Sequence, residues 1–425
     1  MRQVKPAHIF VVSPIIGFSL VIFFLALADA VMSYMAPVLV EKTLNDPVLV
    51  GLVLSISSFL GMALDLLIAE RFAHKSFKFF LTKALFFAVL FPISFLIFPA
   101  KFQFFVISMF IWSVYYEFIG YSKYNFVHKY VHLKDHTNAW STLVTFGSLA
   151  YMIGPGIAVL LIQKFTDLPL YAAIVLIAFS SILYFLLERS TSKKRTERTL
   201  VINEKRSLLK ELGILKTLIR RLWILVLFSL TTTLMDVLMW TIGVLYTEEL
   251  RKTSFMGDWL LVVYGLPALF TGLLASKLKT DIGKKKTAFT VAASAGLCLV
   301  FSGLSTNVSL ILVFVFLMSA FYGISVILID SAFQDYVARA NVVGNDIVSI
   351  LQFAHNVSYS FGPILLGVAA KYLGFGRTFQ LVGVIVVVVS ALSFLLIPRK
   401  IKMPQNEIRS VIWGIKHFGK RFKSP

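Results

Sequence analysis

Five acidic residues lie inside strongly apolar stretches of this sequence, namely Asp29, Asp65, Glu117, Asp236 and Asp330. A charged side chain at the centre of a bilayer costs roughly 2.5–3.5 kcal/mol on insertion scales, so each such residue marks a candidate functional site. Lys and Arg are almost absent from the same stretches. An acid without a basic partner can take up a proton, because desolvation disfavours its charged form. We therefore interpret Asp29, Asp236 and Glu117 as candidate proton-binding residues.

Other side chains could bind a ligand through hydrogen bonds and ring faces. Helical spacing places several of them on the same face as Asp236: Ser229, Thr232, Thr233 and Trp240. Tyr116 precedes Glu117, and a second polar stripe contains Gln352, His355, Asn356 and Tyr359. Acids beside aromatic rings suit cations, whereas phosphate or carboxylate substrates would call for Arg or Lys. The alternative is that these groups only hydrogen-bond between packed helices.

The composition identifies the elements that must position these residues. The chain has 425 residues, of which 58% are hydrophobic and 15% are charged. Soluble proteins are roughly 45–50% apolar and about 25% charged, and a membrane-spanning helix needs about 20 apolar residues. The sequence predicts an all-α polytopic membrane protein with twelve transmembrane helices. The predicted spans are 15–38, 48–69, 79–99, 103–126, 140–163, 169–187, 222–246, 258–276, 287–304, 309–332, 346–370 and 378–397.

Charge sets the expected orientation and the domain organisation. The chain carries 41 Lys and Arg against 21 Asp and Glu, with the basic excess concentrated in a central linker and a tail. Basic loops stay cytoplasmic and attract anionic lipids, which explains the charge without nucleic acid. We predict a six-helix half at 1–187, a cytoplasmic linker at 188–221, a second half at 222–397 and a cytoplasmic amphipathic tail at 398–425. Both termini would face the cytoplasm at the plasma membrane.

An internal repeat relates the two predicted halves. Sliding the second half over the first by 207 residues aligns Leu27–Met32 with Leu234–Met239 and so pairs Asp29 with Asp236. At an offset of 208, Tyr151 and Gly154-Pro155 match Tyr359 and Gly362-Pro363. The chain therefore reads as a duplicated unit, and such pseudo-symmetric halves are typical of one large class of secondary transporters.

The helix count, the central basic linker and the Gly-Pro pairs resemble the major facilitator superfamily over nearly the whole chain. That family has a basic loop between its second and third helices, and the matching segment here supplies Glu70, Arg71, Lys75 and Lys78. The equivalent loop of the second half supplies Gly283, Lys284 and Lys285 but has Thr280 where the family has an acid. The resemblance implies gating roles for these loops. It also implies a cavity lined by helices one, four, seven and ten, with the phenylalanine-rich third helix mostly facing lipid.

The resemblance implies a monomeric carrier that moves small molecules across the membrane by alternating access. Proton-coupled efflux of amphipathic or cationic compounds is our preferred interpretation. The alternative is a proton symporter for sugars or other neutral nutrients, with Gln352 and Asn356 as hydroxyl partners. An alternative from another functional class is a membrane receptor that has the same fold but transports nothing.

Enzyme chemistry finds no support in the sequence. No His-Glu-x-x-His, Gly-x-Ser-x-Gly or Cys/His cluster is present. The single cysteine, Cys298, has no partner for a disulfide or a thiolate metal site. His128, His132 and His136 recur every four residues, which we interpret as a solvated segment rather than a metal site. We expect neither a metal nor a cofactor.

The predicted topology can be tested with single cysteines in a chain from which Cys298 has been removed. A cysteine at Thr196, in the linker, should react with an impermeant thiol reagent only from the cytoplasmic side. A cysteine at Asp167, between the fifth and sixth predicted helices, should react only from outside. Labelling of both positions in intact cells would contradict the topology.

Overall fold

The computed structural model describes residues 14–72, 75–131, 136–191, 208–277, 283–340 and 344–398. Within these ranges the chain is helical and contains no strand. The amphipathic tail predicted at 398–425 lies almost wholly outside the described residues, as does much of the linker. The first part of the chain forms α1 (Pro14–Leu44), α2 (Pro47–Phe72), α3 (Phe77–Ile97), α4 (Phe102–Tyr130), α5 (His136–Ile162) and α6 (Leu168–Thr191).

The second part contains six further helical spans, two of which are interrupted. Its helices are α7 (Leu208–Leu238), α8 (Val244–Thr253), α9 (Leu260–Gly265), α10 (Thr271–Lys277), α11 (Lys284–Leu304), α12 (Val308–Ala340), α13 (Gly344–Leu373) and α14 (Phe375–Leu396). The π-helical turn Met239–Gly243 joins α7 to α8, and the eighth span consists of α9 and α10. Ten helical stretches of the described chain are long and apolar enough to cross a membrane. The predicted twelve-helix fold is thus confirmed.

The eighth span departs from the regular helix that its apolar sequence predicts. Two 3-10 turns, Phe255–Trp259 and Leu266–Leu269, flank α9. Pro267 lies in the second turn, and a proline inside a helix removes a backbone hydrogen bond and clashes with the preceding turn. The interruption places Tyr264 on a helix of six residues, which matters for the site described below.

The chain forms two compact units. The first contains the chain up to Met35, with Leu64–Pro99 and Ile107–Leu200; the second contains Ala36–Ala63, Ala100–Val106 and the chain from Val201 onward. In the first unit, Phe18 stacks on Phe126 with ring centroids 3.9 Å apart, and Phe77 packs edge-on against both. In the second unit, Phe228 and Phe289 meet at 4.6 Å in a core built from α7, α11, α12 and α13.

The phenylalanines of the third helix, which we expect mostly to face lipid, divide between buried and exposed positions. On α3, Phe80 and Phe91 are buried, and Phe86 is 54% exposed. Phe80 stacks on Tyr121 of α4 at 5.4 Å. Apolar composition alone does not distinguish a ring that faces lipid from one that packs against another helix.

Two glycines let α2 and α13 approach closely within the second unit. A Cβ atom at Gly51 would overlap with the backbone carbonyl of Pro363, and one at Gly367 would overlap with that of Pro47. Small residues of this kind permit close packing of membrane helices. One turn after Gly367 on α13, Lys371 Nζ lies 2.6 Å from Asp46 Oδ2.

The ion pair keeps its charge at neutral pH. The hydrogen bond from Lys371 lowers the pKa of the Asp46 carboxyl below its ordinary value. The attraction is therefore present at neutral pH and is lost as the pH falls through that lowered pKa. Since both side chains are partly exposed, its contribution to stability is small.

Leucine at Gly51 or Gly367 should destabilise the protein by about 1–3 kcal/mol, because the new side chain must push two helix backbones apart. Thermal unfolding of the purified protein would measure the loss. Gly272→Leu on α10 is the matched control, since a Cβ atom there meets nothing within 4 Å. Equal unfolding temperatures for Gly51→Leu and Gly272→Leu would contradict the close contact.

Candidate functional site

A buried carboxylate forms the centre of the first unit's polar cluster. Asp29 lies on α1 and is 6% exposed. Its Oδ1 accepts a hydrogen bond of 2.7 Å from Trp112 Nε1. Its Oδ2 accepts one of 2.7 Å from the Tyr116 hydroxyl and another from the Tyr151 hydroxyl. Three neutral donors thus satisfy an acid that would otherwise be very costly to bury.

Helix geometry explains why these donors converge on Asp29. Trp112 and Tyr116 are four residues apart on α4, so their side chains lie on one face. Trp112 is held flat against Phe91 of α3, with ring centroids 5.0 Å apart and an interplanar angle of 7°. The hydroxyls of Tyr116 and Tyr151 lie 3.0 Å apart, which links α4 to α5 beside the acid.

Asp236, at the end of α7, forms the corresponding cluster in the second unit. Its Oδ1 accepts a hydrogen bond from the hydroxyl of Tyr264 on α9, and its Oδ2 accepts one from Tyr359 on α13. Trp240 packs edge-on toward Tyr264 with centroids 6.5 Å apart. It belongs to the π-helical turn Met239–Gly243, and such turns occur frequently at functional sites.

The two clusters match through the internal repeat. Tyr151 and Tyr359, which the repeat aligns, each donate to the aligned aspartate of their own unit. Close packing supports both bonds. A Cβ atom at Gly154 would overlap with Ala30, which follows Asp29, and one at Gly362 would lie 2.9 Å from Val237, which follows Asp236. The remaining donors differ between the units, being Trp112 and Tyr116 in one and Tyr264 in the other.

Neutral donors supply the hydrogen bonds described for both aspartates. An ionised carboxylate only accepts hydrogen bonds, whereas a protonated one also donates. Bonds from neutral donors to a charged acceptor are stronger than those between neutral groups. The tyrosine contacts are therefore strongest when the aspartates are ionised.

The other predicted site residues lie on α4 and α7. Ser229, Thr232 and Thr233 are buried in α7, and the Thr232 hydroxyl donates to the Phe228 carbonyl within the same helix at 3.0 Å. Glu117 is partly buried on α4, next to Tyr116.

Of the stripe on α13, Tyr359 contacts Asp236 directly. His355 and Asn356 are partly buried one turn away. Gln352 belongs to the same helix, but its side chain lies outside the described part of the chain. The structure thus places one member of the stripe at the acid and two others beside it.

The predicted gating residues occupy helix ends. In the first loop, Arg71 and Lys75 are exposed and the Glu70 side chain is not described. Lys78 Nζ lies 2.7 Å from Glu188 Oε1 and so links α3 to α6. Gly283 precedes α11 with a φ of 90°, Lys284 begins that helix, and Lys285 Nζ donates to the Pro398 carbonyl at 2.9 Å.

Sequence reasoning missed three donors as site residues, namely Trp112, Tyr151 and Tyr264. Trp112 lies one turn before Tyr116, so a search of that helical face would have found it. Tyr151 appeared only as a match to Tyr359 in the repeat, and the same repeat would have assigned it to Asp29. No repeat partner identifies Tyr264, since its position depends on the interrupted eighth span.

Comparisons with known proteins agree with this architecture. The model of the Major Facilitator Superfamily matches residues 18–344 and 230–423. No curated protein matches the sequence. Among solved structures, a POT family transporter in complex with a thioalcohol-conjugated peptide is similar, with a TM-score of 0.72 and 12% identity. That likeness covers 90% of this chain and 95% of the other.

Two further structures show the same fold. The nucleoside transporter NupG gives a TM-score of 0.69 at 11% identity and covers 92% of this chain and 100% of its own. A bacterial homolog of the human lysosomal transporter Spinster gives 0.66 at 11% identity, with coverages of 94% and 97%.

Replacing Tyr151 or Tyr359 by Phe should lower the free energy of unfolding by about 1–3 kcal/mol, because each change removes a donor from a buried carboxylate. Chemical or thermal unfolding of the purified protein checks this. Tyr171→Phe on α6 is the control, since that ring is 54% exposed. If all three variants unfold alike, the tyrosine bonds do not stabilise the clusters.

Proposed function

Because the chain belongs to the major facilitator superfamily and is a multi-pass membrane transporter, we propose that it couples proton movement to the export of amphipathic organic cations. The observation that carries the proposal is the pair of repeat-related carboxylates, each held by a tyrosine on the Gly-Pro helix of its own unit. We assign proton binding to Asp29 and Asp236, with the two units alternating access to the substrate site.

The neutral character of the donors supports coupling by protons. Trp112 and four tyrosines supply the hydrogen bonds described for the two aspartates. An acid satisfied in this way loses only hydrogen-bond strength when it is protonated, whereas an acid in an ion pair would also leave a cation unpaired. Each aspartate can thus exist in both protonation states within one fold.

Aromatic groups support a cationic substrate. Trp112, Tyr116 and Tyr151 surround Asp29, and Trp240 lies beside Tyr264 at Asp236. A positive charge is attracted both to a carboxylate and to the faces of such rings. A substrate cation and a proton would then compete for the same carboxylate, which is a direct means of exchange.

A proton symporter for neutral nutrients is the second candidate. His355 and Asn356 lie on the same helix as Tyr359 and are partly buried, so they could bind hydroxyl or amide groups of a substrate. Similar folds occur in the nucleoside transporter NupG and in a POT family transporter bound to a peptide conjugate. We further propose a monomer in the plasma membrane, with cytoplasmic termini and anionic lipids against its basic surface.

Asp29→Asn and Asp236→Asn should abolish proton-coupled transport, because the amide keeps the shape of the side chain but cannot be protonated. The measurement uses proteoliposomes that contain a pH-sensitive dye and receive a panel of organic cations and neutral nutrients. Wild-type protein should move protons out as it moves a cation in, whereas each variant should not. Exchange of labelled substrate down its gradient can persist in a variant that has lost only coupling.

Asp167→Asn provides the control, since Asp167 is an exposed acid between α5 and α6 and its loss should change nothing. Proton movement that survives in both site variants would overturn the coupling role. Proton movement in the same direction as a neutral nutrient would favour the symporter. Failure of wild-type protein to transport any member of the panel would favour a receptor.

A further inference from the structure

We propose that a pocket in the second unit, between α8, the α1–α2 turn and the α13–α14 turn, binds a small zwitterion through Glu249 and Lys371. The pocket has a volume of about 310 Å³, which lies within the range of small-molecule sites. Its lining consists of residues 45–47, Glu249 and four residues around the second turn, namely Ala370, Lys371, Gly374 and Phe375. The inference goes beyond the proposed function, because the pocket contains neither aspartate cluster.

Two tight turns form walls of the pocket. Asn45 joins α1 to α2 with a φ of 49°, and Gly374 joins α13 to α14 with a φ of 82°. Glycine adopts such angles without strain and asparagine tolerates them. The close approach of Gly367 on α13 to Pro47 on α2 brings the two turns together. Both turns follow odd-numbered spans, so the predicted topology places the pocket on the side of the membrane away from the cytoplasm.

Helix α8 supplies the remaining side of the pocket. Tyr246 on α8 packs against α14, with its ring centroid 6.2 Å from that of Phe375 and 5.2 Å from that of Phe379. Glu249 follows Tyr246 by three residues, so the two side chains are neighbours on the helix surface. The packing of Tyr246 therefore fixes the part of α8 that carries the Glu249 carboxylate.

The protein itself already uses the carboxylate of Asp46. Its Oδ1 accepts a hydrogen bond of 2.9 Å from the backbone N–H of Val48 and so caps the start of α2. Its Oδ2 accepts one of 2.6 Å from Lys371 Nζ. Asp46 therefore shapes the pocket and holds the Lys371 ammonium in it.

Two groups of opposite charge remain available to a ligand. The Lys371 ammonium has three N–H donors, and its bond to Asp46 uses one of them. Glu249 is exposed, and it forms no hydrogen bond or ion pair within the described part of the chain. A ligand with a carboxylate at one end and an ammonium group at the other can bind both residues at once.

Charge balance favours a zwitterion over an ion of one sign. Asp46 and Glu249 against Lys371 leave the lining with one net negative charge, which disfavours a simple carboxylate. A simple ammonium ion is attracted by Glu249 but repelled by Lys371. A zwitterion places each of its charges beside the opposite one, and its methylene chain can lie against Pro47 and Phe375.

A series of ω-amino acids tests the proposal, namely glycine, β-alanine, γ-aminobutyrate, δ-aminovalerate and ε-aminocaproate. Isothermal titration calorimetry would measure the binding of each to the purified full-length protein, beside the plain amine and the plain carboxylate of the same chain length. One member of the series should bind about tenfold more tightly than its matched amine and carboxylate, because it alone makes both charge contacts. Its length then reports the separation of the two protein charges.

Glu249→Gln and Lys371→Met each remove one charge and should weaken binding of the preferred ω-amino acid about tenfold. In Glu249→Gln the preference over the plain carboxylate should also disappear. Lys252→Met is the matched control, since Lys252 is exposed on α8 and does not line the pocket. Loss of an exposed ion pair costs little stability, so the variants should unfold near the wild-type temperature. If Lys371→Met does not fold, Glu249→Gln decides.

Equal affinity of wild-type protein for every ω-amino acid and its matched amine or carboxylate would overturn the pocket. Equal binding by Glu249→Gln and Lys252→Met would also overturn it. Asp29→Asn and Asp236→Asn should bind the ω-amino acid as wild type does, and loss of binding in them would place the ligand at the aspartates instead. The coupling proposal fails separately, when proton movement survives in both asparagine variants. Each proposal can thus fail while the other stands.

Discussion

The hydrogen bond from a tyrosine hydroxyl to a buried aspartate is the interaction on which the rest of each unit depends. An ionised carboxylate removed from water needs strong partners, and the partners must approach within hydrogen-bonding distance from a different helix. Gly154 and Gly362 allow this approach, since each lies one turn after its tyrosine and packs against the residue that follows the aspartate. The glycine, the aspartate and the tyrosine hydroxyl therefore form one motif, and this motif occurs once in each unit.

The sequence predicts those features of the fold and site that depend on a single residue type or on a simple repeat. Apolar runs bounded by charges predict the helices, because each helix must span the same apolar layer. Asp29 and Asp236 stood out because acids are rare in such runs. The repeat also relates Tyr151 to Tyr359. Apolar runs, rare acids and an internal repeat can all be recognised in a single sequence.

Properties that depend on three-dimensional packing could not be predicted in the same way. Tyr264 reaches Asp236 from a six-residue helix between two 3-10 turns, and although Pro267 marks the second turn, the sequence does not indicate which acid Tyr264 contacts. The α3 phenylalanines likewise divide into buried and exposed rings although their sequence environments are alike. Partner identity and burial are decided by neighbouring helices, so a pattern within one helix does not determine them.

The prolines in α5 and α13 have a mechanical consequence. Pro155 and Pro363 lie four residues after Tyr151 and Tyr359, so their missing N–H groups remove the backbone bonds that those tyrosine carbonyls would otherwise accept. Each helix is therefore most easily bent at the residue that grips the carboxylate. On α13 the same proline also touches α2 at Gly51. A bend of α13 at this point would therefore move Tyr359 relative to the following half-helix, whose far end carries Lys371.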